Sequence, residues 1–415
     1  MDSASTAGVA VVGGSVAGIR CARGLRSAGY DRRVVVLEAE NAEPYDRPPL
    51  SKGFLATDAA TAPALVREGL LAAAGIELRR GVQVTGLDAA EGRLRWGDHE
   101  DVFDHVVVAT GAVPRLLPGI EASPRVGVLR NAESARQLRE HLRPGAHLVV
   151  VGGGYLGLEA AASARTRGVE VTVLEAGPRI LGRGAPDALA LRIAAVHHAH
   201  GVTLRSGAAV VEIDSGRDAV ELRLMDGSEL RAGYVLVAIG ADPDVGWLDG
   251  SGVELADGVV CDERMQALPG RVLAIGDCAS FVNPLYGRRM RLEHWTSAVD
   301  QAGYVARLLA GRSRSDGCGV LPYVWSDQYA THLQSTGIAG SQELALDLAD
   351  GGLVVLYLDD GVLTGGASLG AQALMLRLRN ALRWGPVEWS KVENSVLQNV
   401  ALDNRRARSY VQHGV

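Results

Sequence analysis

The sequence predicts an α/β protein built on two parallel, doubly wound sheets, with a smaller α+β portion after them. Three observations carry that prediction. VAVVGGSVAGIRCARGL at residues 9–25 has a near copy, LVVVGGGYLGLEAAASA, at residues 148–164. Each copy is followed by a short apolar run ending in a carboxylate, VVVLE at 34–38 and VTVLE at 171–175. Past residue 320 the texture changes to alternating strands, YVWSDQYATHLQSTG and LVVLYLDDGVLTGGASLG, the latter folded around a DDG turn.

Each near copy opens on a β-branched run, breaks at glycines and continues into an alanine-rich segment of helical period, which reads as strand, tight turn and helix. In the second copy Gly152, Gly154 and Gly157 fill the three glycine places of a dinucleotide fingerprint, with Tyr155 and Leu156 between them. Missing side chains there permit the turn, the approach of a pyrophosphate and tight helix packing. In the first copy Gly13 and Gly18 are present, Ser15 stands at the middle place and Ala17 precedes the last; a hydroxyl at that point can donate to a phosphate. Glycine makes up 52 of 415 residues, so either spacing alone is weak. The acids supply the specificity: Glu38 and Glu175 sit where a carboxylate accepts ribose hydroxyls. Two Rossmann-like dinucleotide-binding domains follow, hence two bound dinucleotides, most simply a tightly held flavin and an exchangeable nicotinamide.

Composition bounds the function. A chain of 415 residues suits two or three domains, and a hydrophobic content of 47% supports large buried sheets. The net charge of −6 gives no reason to expect nucleic acid or an anionic membrane as partner. Cys21, Cys261, Cys278 and Cys318 show neither a C-x-x-C pair nor metal-ligand spacing, as expected of a reduced cytoplasmic protein without a metal. MDSASTAG carries no basic segment before an apolar core, so neither secretion nor membrane spanning is expected. Lys52 and Lys391 are the only lysines among 42 basic residues, which marks Lys52 and devalues any argument from arginine abundance.

Two buried strands break in the same way, VVVATGAVPR (106–115, containing Ala109) and YVLVAIGADPD (234–244, containing Gly240). They bracket an insertion. The expected division is therefore a discontinuous FAD-binding domain at 1–115 and 241–320, an NAD-binding domain at 116–240 and a C-terminal α+β domain at 321–415. VLAIGDCAS (272–280) is a further strand of the first domain, ending at Asp277, an acid suited to a chain of hydroxyls such as ribityl. Residues 369–383 read as an amphipathic helix packed on the C-terminal sheet.

PYDRPPLSK (44–52), ATGAVPR, VLR (128–130), VVGGGYLGLEAA, AIGDCA, EHWTSAVDQA (293–302) and WSDQY (325–329) together resemble the two-dinucleotide flavoprotein oxidoreductases of glutathione reductase-like fold. Among these the chain is most similar to the NAD(P)H-dependent ferredoxin reductases that serve cytochromes P450 and Rieske oxygenases, over nearly its whole length. The resemblance implies FAD and NADH as cofactors and a [2Fe-2S] ferredoxin as electron acceptor. It implies that Lys52 lies beside the flavin ring, that Arg47 and Pro48 of the same motif, Val84, Ala109 and Arg130 help hold the flavin nucleotide, and that Trp295 lies near the pyrimidine edge. The helix after Trp295 would aim its N-terminus at the flavin; Ser297 stands where many relatives have asparagine. Glu159 would orient the nicotinamide carboxamide, the competing reading being a surface helix glutamate. Trp325 would cover the flavin, the competing reading being a core tryptophan. Glu175 would favour NADH over NADPH, a preference that Arg179 and Arg183 weaken. Arg288, Arg289 and Arg291 form a candidate basic patch for an acidic ferredoxin.

Family members that reduce disulfides or peroxides place cysteine shortly after the first ribose acid. This chain reads NAEPYDRPPLSKG there, without one. The remaining alternatives are an NADH:rubredoxin or quinone reductase of the same architecture, and a slow-turnover NADH sensor resembling apoptosis-inducing factor.

Overall fold

The computed structural model describes residues 7–67, 69–120, 123–182, 184–313, 317–398 and 400–401, and the backbone of 408–412. The chain forms two compact units. The first comprises Met1–Asp46, Pro63–Val113 and Asp242–Tyr323. Its main sheet runs Gln266–Leu268, Val272–Ala274, His105–Val108, Val9–Val12, Val34–Glu38, Glu77–Arg80. All neighbours are parallel except the edge strand Gln266–Leu268. Valine runs suit strands covered on both faces, and every residue of Val9–Val12 and Val34–Glu38 is buried. Helices Val16–Ser27 and Trp295–Leu309 pack on each other in the core of this unit. Gly24 permits that approach, since a Cβ on it would lie 2.8 Å from the Ala306 Cβ. The same unit carries a three-stranded antiparallel sheet (Gly86–Asp88, Arg93–Trp96, His99–Val102) and a four-stranded sheet running from Leu255–Ala256 to Arg288–Arg291.

The second unit comprises Arg47–Ala62, Pro114–Ala241 and Val324–Val415. Its five-stranded sheet is wholly parallel, in the order Val202–Ser206, Glu170–Glu175, His147–Val151, Tyr234–Val237, Val126–Gly127. Helix Ala132–His141 starts at a capping box, the Ser134 amide donating to Asn131 Oδ1 at 2.8 Å. Helices Tyr155–Thr166 and Asp187–Ala199 follow their strands. The C-terminal sheet has seven strands, among them Tyr323–Gln328, Thr331–Gly337, Leu353–Asp359 and Val362–Leu369. The DDG turn joins the last two through Asp360 and Gly361, both at positive φ (47° and 79°), as a two-residue hairpin of matching twist requires. Helix Gln372–Ala381 buries Leu374, Met375 and Leu378.

The grouping differs from the sequence division in two places. Residues 47–62 belong to the second unit because its helices hold them: Arg139 Nη1 donates to the Ala59 carbonyl at 2.6 Å and Ser163 Oγ to the Ser51 carbonyl at 2.7 Å. The C-terminal sheet shares that unit, tied by Arg192–Asp347 at 2.7 Å among other contacts. No described helix is long and apolar enough to cross a membrane.

Candidate functional site

In the first unit, Gly13 takes φ 110°, and a Cβ there would lie 2.3 Å from the Ala109 carbonyl oxygen; a Cβ on Gly18 would lie 1.9 Å from Gly13 O. The turn closes only on glycine. Ser15 caps helix Val16–Ser27 in extended backbone without spending its hydroxyl on a capping bond. Glu38, at the end of its strand, is drawn back to the turn: its Oε2 accepts from the Gly14 amide and its Oε1 from the Glu40 amide at 2.8 Å. The Val82 amide donates to Glu38 O at 2.9 Å, bringing the buried Val84 to the same edge. A Cβ on Gly276 would lie 3.2 Å from the Ala17 Cβ, so the turn carrying Asp277 abuts the first turn of the cradle helix. Trp295 opens its helix with Nε1–H donating to Asp46 at 2.9 Å and with Arg20 5.9 Å over its ring. Ser297 is fully buried and its hydroxyl has no partner among the described residues.

The second unit repeats the device. Gly152 has φ 113° with Ala238 O 2.3 Å from where a Cβ would be, and a Cβ on Gly157 would lie 2.2 Å from Gly152 O. Gly154 faces open space, which is the room a pyrophosphate needs. Glu175 accepts from the Gly153 amide at 2.8 Å and the Gly177 amide at 2.7 Å. The Tyr155 hydroxyl donates to Gly184 O, and burial pushes its pKa up to about 12. Leu156 is exposed, and Gly240, at φ 108°, accepts from the Arg115 amide at 2.9 Å. Arg179 does not reach out as the sequence suggested: its Nε pairs with Asp187 at 2.6 Å, and its other nitrogens donate to the carbonyls of Ile180, Leu181 and Ala185. Arg183 lies outside the described residues. Both cradles, with glycine at each crowded point and an acid fixed at the strand end, fit an adenine dinucleotide.

Lys52 and Glu159 meet. Lys52 Nζ lies 3.0 Å from Glu159 Oε1, with side-chain exposures of 19% and 7%. Glu159 is thus a buried helix residue and not a surface one. Ser51 Oγ donates to Glu159 Oε2 and Ser326 Oγ to Oε1 at 2.6 Å, so with Lys52 three donors engage the carboxylate and one of its four acceptor sites is left over. Pro48 starts the short 3₁₀ turn Pro48–Ser51 and its carbonyl also faces Lys52 Nζ, at 3.4 Å. Arg47 donates to the Arg130 carbonyl at 3.3 Å, and Arg130 is half-buried. Trp325 is half-buried on strand Tyr323–Gln328, where Ser326 and Gln328 occupy the opposite, fully buried face. Sequence reasoning passed over Ser51, Ser326 and Gln328, although two of them lie inside the quoted WSDQY motif and the third inside PPLSK. The basic patch is thinner than expected: Arg289 donates to the carbonyls of Cys261 and Ser280, and Arg291 pairs with Asp257 and Glu293. Among the described residues no His/Cys/Asp/Glu group could hold a metal ion.

Residues 7–302 match the family model "Pyridine nucleotide-disulphide oxidoreductase". The chain is 32% identical over 343 residues to the ferredoxin–NAD(+) reductase component of the anthranilate 1,2-dioxygenase system of Burkholderia cepacia, covering 82% of this chain and 84% of that one. It is 34% identical over 334 residues to rubredoxin–NAD(+) reductase of Pseudomonas putida, covering 79% and 86%. Its fold superposes on the crystal structure of the covalent putidaredoxin reductase–putidaredoxin complex with a TM-score of 0.84 at 30% identity, covering 89% of this chain and 91% of that one. With two anchored-acid cradles in its units and these matches across most of its length, the chain belongs to the pyridine nucleotide-disulphide oxidoreductase family.

Proposed function

We propose that the protein is an FAD-dependent, NADH-oxidising ferredoxin reductase that passes electrons singly to a [2Fe-2S] ferredoxin serving a cytochrome P450 or Rieske oxygenase. The observation that carries this reading is the pairing of two complete cradles with a set of unreactive thiols. Cys21, Cys261, Cys278 and Cys318 are all free and buried, and burial pushes Cys21 and Cys318 up to about 12 and Cys278 to about 11. A disulfide relay needs an accessible thiolate; here electrons have to leave the flavin directly. The buried, reduced thiols also support a cytoplasmic location.

Bound NADH supplies a hydride, and FAD a two-electron acceptor that releases electrons one at a time. The chain's own residues bind, orient and exclude water. The stretches 1–115 and 241–320 are assigned to FAD and 116–240 to NADH, and 321–415 is the C-terminal α+β domain. Gly13, Ser15, Ala17, Gly18, Glu38, Arg47, Pro48, Lys52, Val84, Ala109, Arg130, Asp277 and Trp295 are the proposed FAD contacts. Gly152, Gly154, Tyr155, Leu156, Gly157, Glu175 and Gly240 take the nicotinamide nucleotide. Lys52 and Glu159 act as a pair, the ammonium offering positive charge to the flavin and the carboxylate accepting from the carboxamide, while Trp325 shields the ring.

The test is stopped-flow bleaching of the flavin by NADH, then NADH-driven cytochrome c reduction with and without ferredoxins. Strong stimulation by a [2Fe-2S] ferredoxin is expected. Stimulation by rubredoxin instead would favour the second reading that the 34% identical relative supports. Fast bleaching that no acceptor accelerates would replace the reductase with a sensor. Lys52→Ala is expected to slow bleaching by at least about ten-fold or to loosen FAD.

A further inference from the structure

Glu159 terminates a buried chain of hydrogen bonds that no role above uses. His197 on helix Asp187–Ala199 and Gln328 on strand Tyr323–Gln328 are 0% and 1% exposed. His197 Nε2 lies 2.8 Å from Gln328 Oε1; Gln328 Nε2 donates to Ser326 Oγ at 3.0 Å; Ser326 Oγ donates to Glu159 Oε1 at 2.6 Å. An amide oxygen only accepts, so the His197 proton sits on Nε2. Its Nδ1 has no partner among the described residues, and the ring packs edge-on to Tyr329 at 5.3 Å. Burial pushes this imidazole below its ordinary range, which leaves a neutral ring with one N–H.

Every bridging hydrogen in the chain therefore points the same way, toward the carboxylate. Bonds aligned head to tail polarise one another. The chain is not a proton wire, because passage through Gln328 would require its amide to become an imidic acid. Its effect is mechanical and electrostatic. Ser51 and Lys52 grip Glu159 from one loop; Ser326 grips it from a strand that is itself held, through Gln328, by the helix carrying His197. The glutamate is clamped between two supports that lie far apart in sequence, and its rotamer is over-determined.

We propose that Ser326, Gln328 and His197 are positioning residues that hold the Glu159 carboxylate in the orientation in which it meets the nicotinamide, His197 being the terminal donor. This rests on the assignment of Glu159 to the nicotinamide carboxamide.

The experiment uses the FAD-loaded protein with Ser326→Ala, Gln328→Met, His197→Phe and Glu159→Gln. Two quantities are measured: NAD+ affinity by titration calorimetry, and the NADH concentration that half-saturates flavin bleaching. Ring 15N shifts of the histidines give a readout independent of turnover. Ser326→Ala is expected to lower NAD+ affinity and raise the half-saturating NADH concentration on the order of ten-fold, the loss of one hydrogen bond to a charged group, and Gln328→Met to shift both several-fold in the same direction, with FAD content near wild type in each. The wild-type spectrum is expected to hold one neutral Nε2–H imidazole at pH 6 that disappears in His197→Phe. Wild-type affinity in Ser326→Ala and Gln328→Met, with Glu159→Gln impaired, overturns the chain. Wild-type affinity in all four, Glu159→Gln included, overturns the assignment of Glu159 itself. A protonated or Nδ1–H His197 also overturns the chain.

Discussion

Arg179 stands near the acid that should read the adenosine ribose, where a free guanidinium would welcome a 2′-phosphate. Asp187 holds it back: with Nε on that carboxylate and the other nitrogens donating to the carbonyls of Ile180, Leu181 and Ala185, four of the five N–H donors of the fork are engaged. Asp187→Ala is expected to release it, lowering the KM for NADPH several-fold, on the order of one charged hydrogen bond, while that for NADH stays put. Steady-state assays with both nucleotides decide this, and an unchanged NADPH KM would show that Arg179 is irrelevant to the choice. Glu175→Ala is expected to raise the NADH KM about ten-fold and to narrow the preference. The identities of Glu38, Glu175 and Lys52 were legible because fingerprint spacing and lysine scarcity single them out. Their partners were not. The residues that donate to Glu159 come from positions 51, 52 and 326, and nothing local in the sequence announces a contact made only by tertiary packing.

Among the elements, the glycines of each cradle are steric necessities. Gly157→Ala puts a methyl 2.2 Å from Gly152 O and is expected to abolish NADH bleaching while FAD remains bound, which a flavin spectrum and a bleaching trace together verify. Gly24→Ala intrudes on Ala306 between helices Val16–Ser27 and Trp295–Leu309; overpacking of that kind costs about 1–3 kcal/mol, read as a lower thermal midpoint. The parallel strands were readable because burial on both faces demands unbroken β-branched runs such as VVVLE. The antiparallel trio Gly86–Asp88, Arg93–Trp96 and His99–Val102 was not, since HEDV and RLRW carry half their residues to solvent and offer no apolar run.

At the scale of the whole molecule, four histidines, His105, His141, His197 and His294, are pushed below their ordinary range chiefly by burial. An imidazole whose folded pKa is depressed binds protons more weakly in the native chain than in the unfolded one, so its share of stability is present above the unfolded value of 6.5 and is lost as pH falls through it. The melting temperature is expected to drop between pH 7 and pH 5, and His294→Asn to flatten that drop; a melting curve insensitive to acid would contradict it. The grouping of residues 47–62 with the second unit was hidden from the sequence for the same reason as the Glu159 clamp: Arg139, Ser163 and Arg167 recruit the loop by side-chain bonds to its carbonyls. One consequence reaches the assembly of the active protein. Glu38 and Glu175 are bonded to the amides of their own turns, so each cradle holds its acid by bonds made within the cradle itself, and no distant element has to close before a nucleotide enters. Refilling with flavin then proceeds as a single second-order step whose rate climbs linearly with FAD concentration. A lag that ignores concentration would mean that the turns first form around their guest.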